Sequence, residues 1–172
     1  MSTFPIRTFG DPVLKAPASE VTDIDDALRR LVDGMVQTMY DAPGVGLAAP
    51  QVGVQKRLFV YDVGEGPHAV INPVLNDFRG GEWPYHEGCL SVPELWWDIE
   101  RPKEVTLRGL DLEGNEQVIE ADELLARVFQ HEVDHLDGIL LLERVSPEER
   151  KDAMRTLRQR ALGLPTDRAE AR

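Results

Sequence analysis

The stretch "QHEVDHLDG", Gln130 to Gly138, places His131, Glu132 and His135 in an HExxH arrangement. Residues four apart on a helix share a face, so the two imidazoles can converge on one cation while the glutamate beside them moves a proton. At about 100° per residue, Leu124, Val128, His131 and His135 fall in one narrow stripe. Leu125, Phe129, Glu132, Val133 and Leu136 continue an apolar arc beside it, and Arg127, Gln130 and Asp134 take the opposite side. Burying two histidines and a carboxylate among apolar neighbours is costly unless they are paired or coordinate an ion. The pattern predicts a metal site.

A catalytic site usually has three protein ligands and keeps a position open for water. Gly138 fits the HExxHxxGxxH continuation, but Leu141 stands where its third histidine belongs. Glu148 and Glu149 are alternative ligands, although both fall in a capping first turn. Cys89, the single cysteine, is the strongest candidate, because a thiolate binds divalent transition metals well. Two other uses of these residues remain: a closed, non-enzymatic structural site with His68 or His86 as fourth ligand, or a hydrolase in which Cys89 itself attacks.

Several elements must position these groups. From Thr22, "TDIDDALRRLVDGMVQTMYDAPG" spaces Ile24, Leu28, Leu31, Met35, Val36 and Met39 as the apolar face of a helix. "GVGLAAPQVG" follows as a loop running into an extended strand. Between Arg57 and Glu120 the runs "RLFVYDV", "HAVINPVL", "EVTLRGLD" and "EQVIEA" read as short strands punctuated by Gly, Pro, Asn and Asp. Gly114 and Asn115 predict an antiparallel hairpin between the last two. The HExxH helix begins near Asp122 and ends at His135 or Leu136, with Gly138 just beyond. A C-terminal helix over about 147–162 opens with Ser146 as N-cap, Pro147 at its first position and Glu149 completing a capping box; residues 163–172 fray. Strands that follow one another, without alternating helices, predict one α+β domain over 1–172.

Composition narrows the partners. With 31 acidic against 19 basic side chains and a net charge of −12, the surface repels polyanions, so DNA is not expected as a partner. Apolar runs such as "GILLLE" fall far short of the roughly 20 residues that span a bilayer. One cysteine and an N-terminus without a signal or transit pattern suit a reducing cytoplasm.

"GVGLAAPQ" (Gly44 to Gln51), "EGCLS" (Glu87 to Ser91) and "QHEVDHLDG" resemble, in order and spacing, the three signature motifs of the peptide deformylases. That resemblance spans at least the metal core, residues 44–138. It implies antiparallel or mixed β-sheets packed around a central HExxH helix, with N- and C-terminal helices. It also implies a metallohydrolase that removes the formyl group from the formylmethionine of new polypeptides. Cys89, His131 and His135 would hold one divalent ion, natively Fe2+ and replaceable by Zn2+, Ni2+ or Co2+. Glu132 would be general base and acid, with Gln51 and the backbone N–H of Leu90 as oxyanion donors. By matching position Val45, Gly46, Tyr85, Glu87, Leu124 and Val128 would border the substrate, and Glu87 with Arg101 would brace the cysteine loop. Arg150, Lys151, Arg155, Arg158 and Arg160 form either a solvated helix face or a transient contact with the ribosome. The chain departs from the family at Glu94, where glycine is commoner, and at Trp96, where some relatives carry a basic residue.

Overall fold

A computed structural model describes residues 2–166; the end of the expected frayed tail, 167–172, lies outside the described residues. Helix α1 spans Asp26–Asp41 and begins four residues later than Thr22, because Asp25 is the N-cap and its side chain accepts the Leu28 N–H at 2.9 Å. Strand β1 (Gly46–Ala48) runs into a 3-10 turn over Ala49–Val52, and β2 covers Leu58–Tyr61. Two long strands follow, β3 (His68–Cys89) and β4 (Val92–Leu110), then β5 (Glu116–Asp122). Helix α2 occupies Glu123–Leu136 and α3 Pro147–Ala161. Among the described residues no helix is long and apolar enough to cross a membrane.

The five strands form one sheet in the order β1-β2-β3-β4-β5, every neighbour antiparallel, with a single isolated parallel bridge at Ser19–Lys56. Two of the four β runs read from the sequence, "RLFVYDV" and "EQVIEA", correspond to β2 and β5, whereas "HAVINPVL" and "EVTLRGLD" are only the start of β3 and the end of β4, which run much further. Pro73, Gly80 and Gly81 do not end β3. They fall in register shifts between Ile71 and Val74 and between Arg79 and Glu82, with another between Asn76 and Arg79, and Asn72, Asp77, Gly80 and Gly81 take positive φ. A further shift at Gly88/Cys89 precedes the Leu90–Ser91 turn, so Cys89 sits at the tip of the β3–β4 hairpin.

Strand β2 shows how the layers divide. Leu58 and Val60 pack with Leu28, Val32, Met35 and Met39 of α1, whereas Phe59 and Tyr61 on the other face pack with Phe129 of α2. Tyr61 meets Phe129 edge-on, with centroids 5.1 Å apart at 85°. A third cluster joins Val92, Leu95, Trp97 and Ile99 of β4 to Leu141, Leu142 and Ala153, so α3 supports the hairpin tip. α3 opens with the expected capping box: Ser146 Oγ accepts the Glu149 N–H, and Glu149 Oε2 accepts the Ser146 N–H.

Helix α2 is the centre of the fold. Arg127, Gln130 and Asp134, which periodicity sets opposite the apolar arc, are buried as well. The helix is enclosed all round, with a charged network covering its far side. Gly138 ends it at φ +74°, where a Cβ would lie 2.6 Å from the Lys15 carbonyl oxygen.

Because Phe129 is fully buried between helix and sheet, Phe129→Ala should cost about 3–5 kcal/mol of stability, read as a lower urea midpoint at unchanged m-value.

Candidate active site

The hairpin tip and helix α2 bring three potential ligands together. Cys89 Sγ lies 3.3 Å from His135 Nε2, which lies 3.3 Å from His131 Nε2. Among the described residues this is the one group of three whose ligand atoms all lie within 4.8 Å of one another. Metal–nitrogen bonds of about 2.05 Å at tetrahedral angles put two nitrogens about 3.3 Å apart, so the imidazole pair already has that spacing. The three atoms are electron-rich and face one another, an arrangement that a divalent cation resolves. The residues fit such an ion.

Tautomer and orientation are set from behind. His131 Nδ1 sits 2.6 Å from Glu87 Oε1, which makes Nδ1 the protonated nitrogen and leaves the Nε2 lone pair toward Cys89 and His135. Glu87 in turn accepts from Arg101 Nε and NH2 at 3.0 and 2.8 Å and from Arg127 NH1 at 2.8 Å. Burial opposes ionisation of Glu87, but hydrogen bonds from His131 and Arg101 hold its carboxyl far below the usual carboxylate range. Arg101 continues to Asp134 Oδ2 at 2.9 Å, and Asp134 accepts from Arg144 at 2.6 and 3.0 Å. Arg127 also donates to the carbonyls of Ile99 and Trp83, and its guanidinium lies 5.5 and 5.6 Å from the ring centroids of Trp83 and Tyr85.

Burial likewise opposes the Cys89 thiolate, yet His135 and His131 beside the sulfur hold its thiol well below the ordinary value. The Ser91 N–H points at Sγ from 3.4 Å, and Gln51 Nε2 from 3.8 Å. Burial raises the Glu132 carboxyl above its ordinary range, with the two imidazoles pulling against it. Its Oε2 has no hydrogen-bond partner among the described residues. Glu132 lies directly over Gly46: a Cβ there would come 2.6 Å from Oε1. Gly88 is equally constrained, since a Cβ would meet the Trp96 ring at 2.5 Å.

These groups open on a cleft of about 740 Å³. Val45, Gly46, Tyr85, Leu124 and Val128, expected to border the substrate, all line it, together with Gln51, Leu90 and Glu132. Val45, Tyr85 and Leu124 are partly exposed there, whereas Val128 is buried. Glu87 lines the same cleft, but both its oxygens are taken by protein groups, so it braces His131 and has no oxygen to spare for a ligand. His86 and His68 stay apart from the triad: His86 pairs with Asp98 and stacks on Trp96, and His68 stacks on Tyr61. Leu141 is core, and Glu149 caps α3. Sequence periodicity overlooked Arg127 and Asp134. The available signal was the number of charged residues on a helix whose other faces were already apolar.

Residues 3–151 match the family model described as Polypeptide deformylase. The peptide deformylase of Acidothermus cellulolyticus is 49% identical over 159 residues, covering 92% of this chain and 88% of that one. The crystal structure of the Thermotoga maritima peptide deformylase superposes with a TM-score of 0.83 at 46% identity, covering 86% of this chain and all (100%) of the other. That of the Ehrlichia chaffeensis peptide deformylase in complex with actinonin gives 0.89 at 40%, covering 93% and 98%. A match of this extent in both sequence and backbone goes well beyond a shared HExxH helix, and the chain belongs to the polypeptide deformylase family.

Proposed function

We propose that the protein performs its family's reaction, hydrolysis of the N-formyl group of formylmethionyl peptides, with Cys89, His131 and His135 holding one divalent ion and Glu132 moving the proton. The observation that carries this assignment is the convergence of Sγ and two Nε2 atoms beside a cleft, next to a Glu132 Oε2 that has no hydrogen-bond partner among the described residues. A cation held there supplies Lewis acidity, lowering the pKa of an adjacent water and drawing electron density from the formyl oxygen.

The chain's own residues do the rest. Glu132 Oε2 takes a proton from the water that adds to the formyl carbon. The same carboxyl returns it to the amide nitrogen as the C–N bond breaks, releasing formate and a free amino terminus. Its raised pKa suits both halves of that exchange. The oxygen of the tetrahedral carbon is met by Gln51 Nε2 and by the backbone N–H of Leu90, which follows Cys89 in the hairpin turn. Val45, Tyr85, Leu124 and Val128 receive the methionine side chain, and the Gly46 backbone borders the peptide. Arg101 and Arg127 act through Glu87 to hold His131.

We assign Fe2+ as the native ion, with Zn2+, Ni2+ and Co2+ as replacements, since one thiolate and two imidazoles suit this group of metals. A reducing cytoplasm keeps Cys89 available as a ligand. The basic residues of α3 are assigned a transient ribosome contact: Arg150, Lys151, Arg155 and Arg158 line one open groove, which they share with Glu143, Glu148, Glu149 and Asp152, while Arg160 turns to the Pro93 carbonyl and Glu94.

Glu132→Ala should lower formate release from a formyl-Met peptide by about 10²–10⁴-fold while metal content stays at one ion per chain; retained activity overturns the assignment of the base. Chelation should abolish formate release, and reloading with Fe2+ or Zn2+ should restore it. Gly46→Ala should displace the Glu132 carboxylate and cut kcat by about a hundredfold, at unchanged metal content. Charge reversal of Arg150, Lys151, Arg155 and Arg158 should weaken co-sedimentation with ribosomes; unchanged co-sedimentation removes the contact.

A further inference from the structure

Ser91 has no role so far beyond membership of a motif, yet it is fully buried beside the metal ligands. Its hydroxyl oxygen accepts a hydrogen bond from Gln51 Nε2 at 3.1 Å. Gln51 needs such an anchor, because the torsion that turns a terminal carboxamide is intrinsically broad and no rotamer preference fixes it. The carboxamide oxygen is already committed, as Oε1 accepts the Ala48 N–H at 3.0 Å, which decides which end carries the hydrogens. Once one amide hydrogen points to Ser91 Oγ, the planar geometry sends the other away from Ser91. On that side lies Cys89 Sγ, 3.8 Å from Nε2, at the wall of the cleft.

We infer that Ser91 is a positioning residue of the deformylase reaction: its hydroxyl clamps the Gln51 carboxamide so that the second N–H faces the developing oxyanion. This rests on Gln51 being an oxyanion donor. The clamp works because neither backbone can drift. The N-terminal arm holds both, with the Arg7 N–H donating to the Gln51 carbonyl at 2.7 Å and the Phe9 N–H to the Ser91 carbonyl at 2.8 Å. Removing the hydroxyl therefore leaves the backbones in register and takes away the anchor on the nitrogen side of the amide alone, while Oε1 keeps the Ala48 N–H. The Ser91 N–H contact to Cys89 also survives, because it belongs to the main chain.

A double-mutant cycle on the metal-loaded enzyme tests this. Gln51→Leu alone should lower kcat by about 10²-fold, the loss expected for one oxyanion donor. Ser91→Ala alone should lower kcat by about tenfold with KM within about twofold, the signature of an interaction made in the transition state. In the Gln51→Leu background Ser91→Ala should cost nothing further, and the visible spectrum of the cobalt-substituted Ser91→Ala protein should match the wild type. An equal Ser91→Ala loss in both backgrounds, or wild-type kcat in the single variant, overturns the clamp. Wild-type kcat in Gln51→Leu overturns the oxyanion assignment instead, so the two failures are distinct. Thermal unfolding of each variant checks folding, and Ser91→Gly replaces Ser91→Ala in the cycle if the alanine protein is unfolded.

Discussion

One buried carboxylate, Glu87, ties the molecule together. It sits on β3 two residues before Cys89 and receives hydrogen bonds from Arg101 of β4 and from Arg127 and His131 of α2. An unpaired carboxylate at this depth would be prohibitively desolvated, so three elements must stay in place for it to remain ionised. In return it fixes the tautomer of His131 and locks the strand that carries Cys89. Helix α2 and the cysteine hairpin are thereby aligned by the protein itself, ahead of any ion.

Much of this site was legible in the sequence. The i, i+4 spacing of His131 and His135 on an otherwise apolar stripe carries a direct energetic implication, and a lone Cys89 is a natural third ligand. The cap of α3 was equally plain, since Ser146 and Glu149 act through bonds spanning three residues. What stayed hidden depended on contacts distant in the chain. Arg127 and Asp134 look like a solvated helix face until Glu87, Arg101 and Arg144 arrive from elsewhere to pair with them. β3 and β4 each look like a single short strand, because local punctuation cannot tell a strand end from a bulge that its partner tolerates.

Small residues in the motifs follow the same division. Gly46 and Gly88 are required by close approach: one lies under the Glu132 carboxylate, the other under the Trp96 ring. Glu132 is distant from Gly46 in the chain, and Trp96 meets Gly88 only through the register of the β3–β4 hairpin, so the glycines could be noticed but not explained before the fold was known. Trp96, although partly exposed, closes over Gly88 from the cross-strand position.

The hairpin geometry has an evolutionary consequence. Side chains alternate between the two faces of a strand, so a one-residue slip in the regular arm between Glu82 and Gly88 would turn Cys89 away from His131 and His135. Length changes in that arm can survive only as pairs of residues or where a neighbouring bulge absorbs the odd one. The segment around Gly80 and Gly81, already irregular and far from the tip, is where insertions and deletions can accumulate among descendants of this chain without loss of the cysteine's aim.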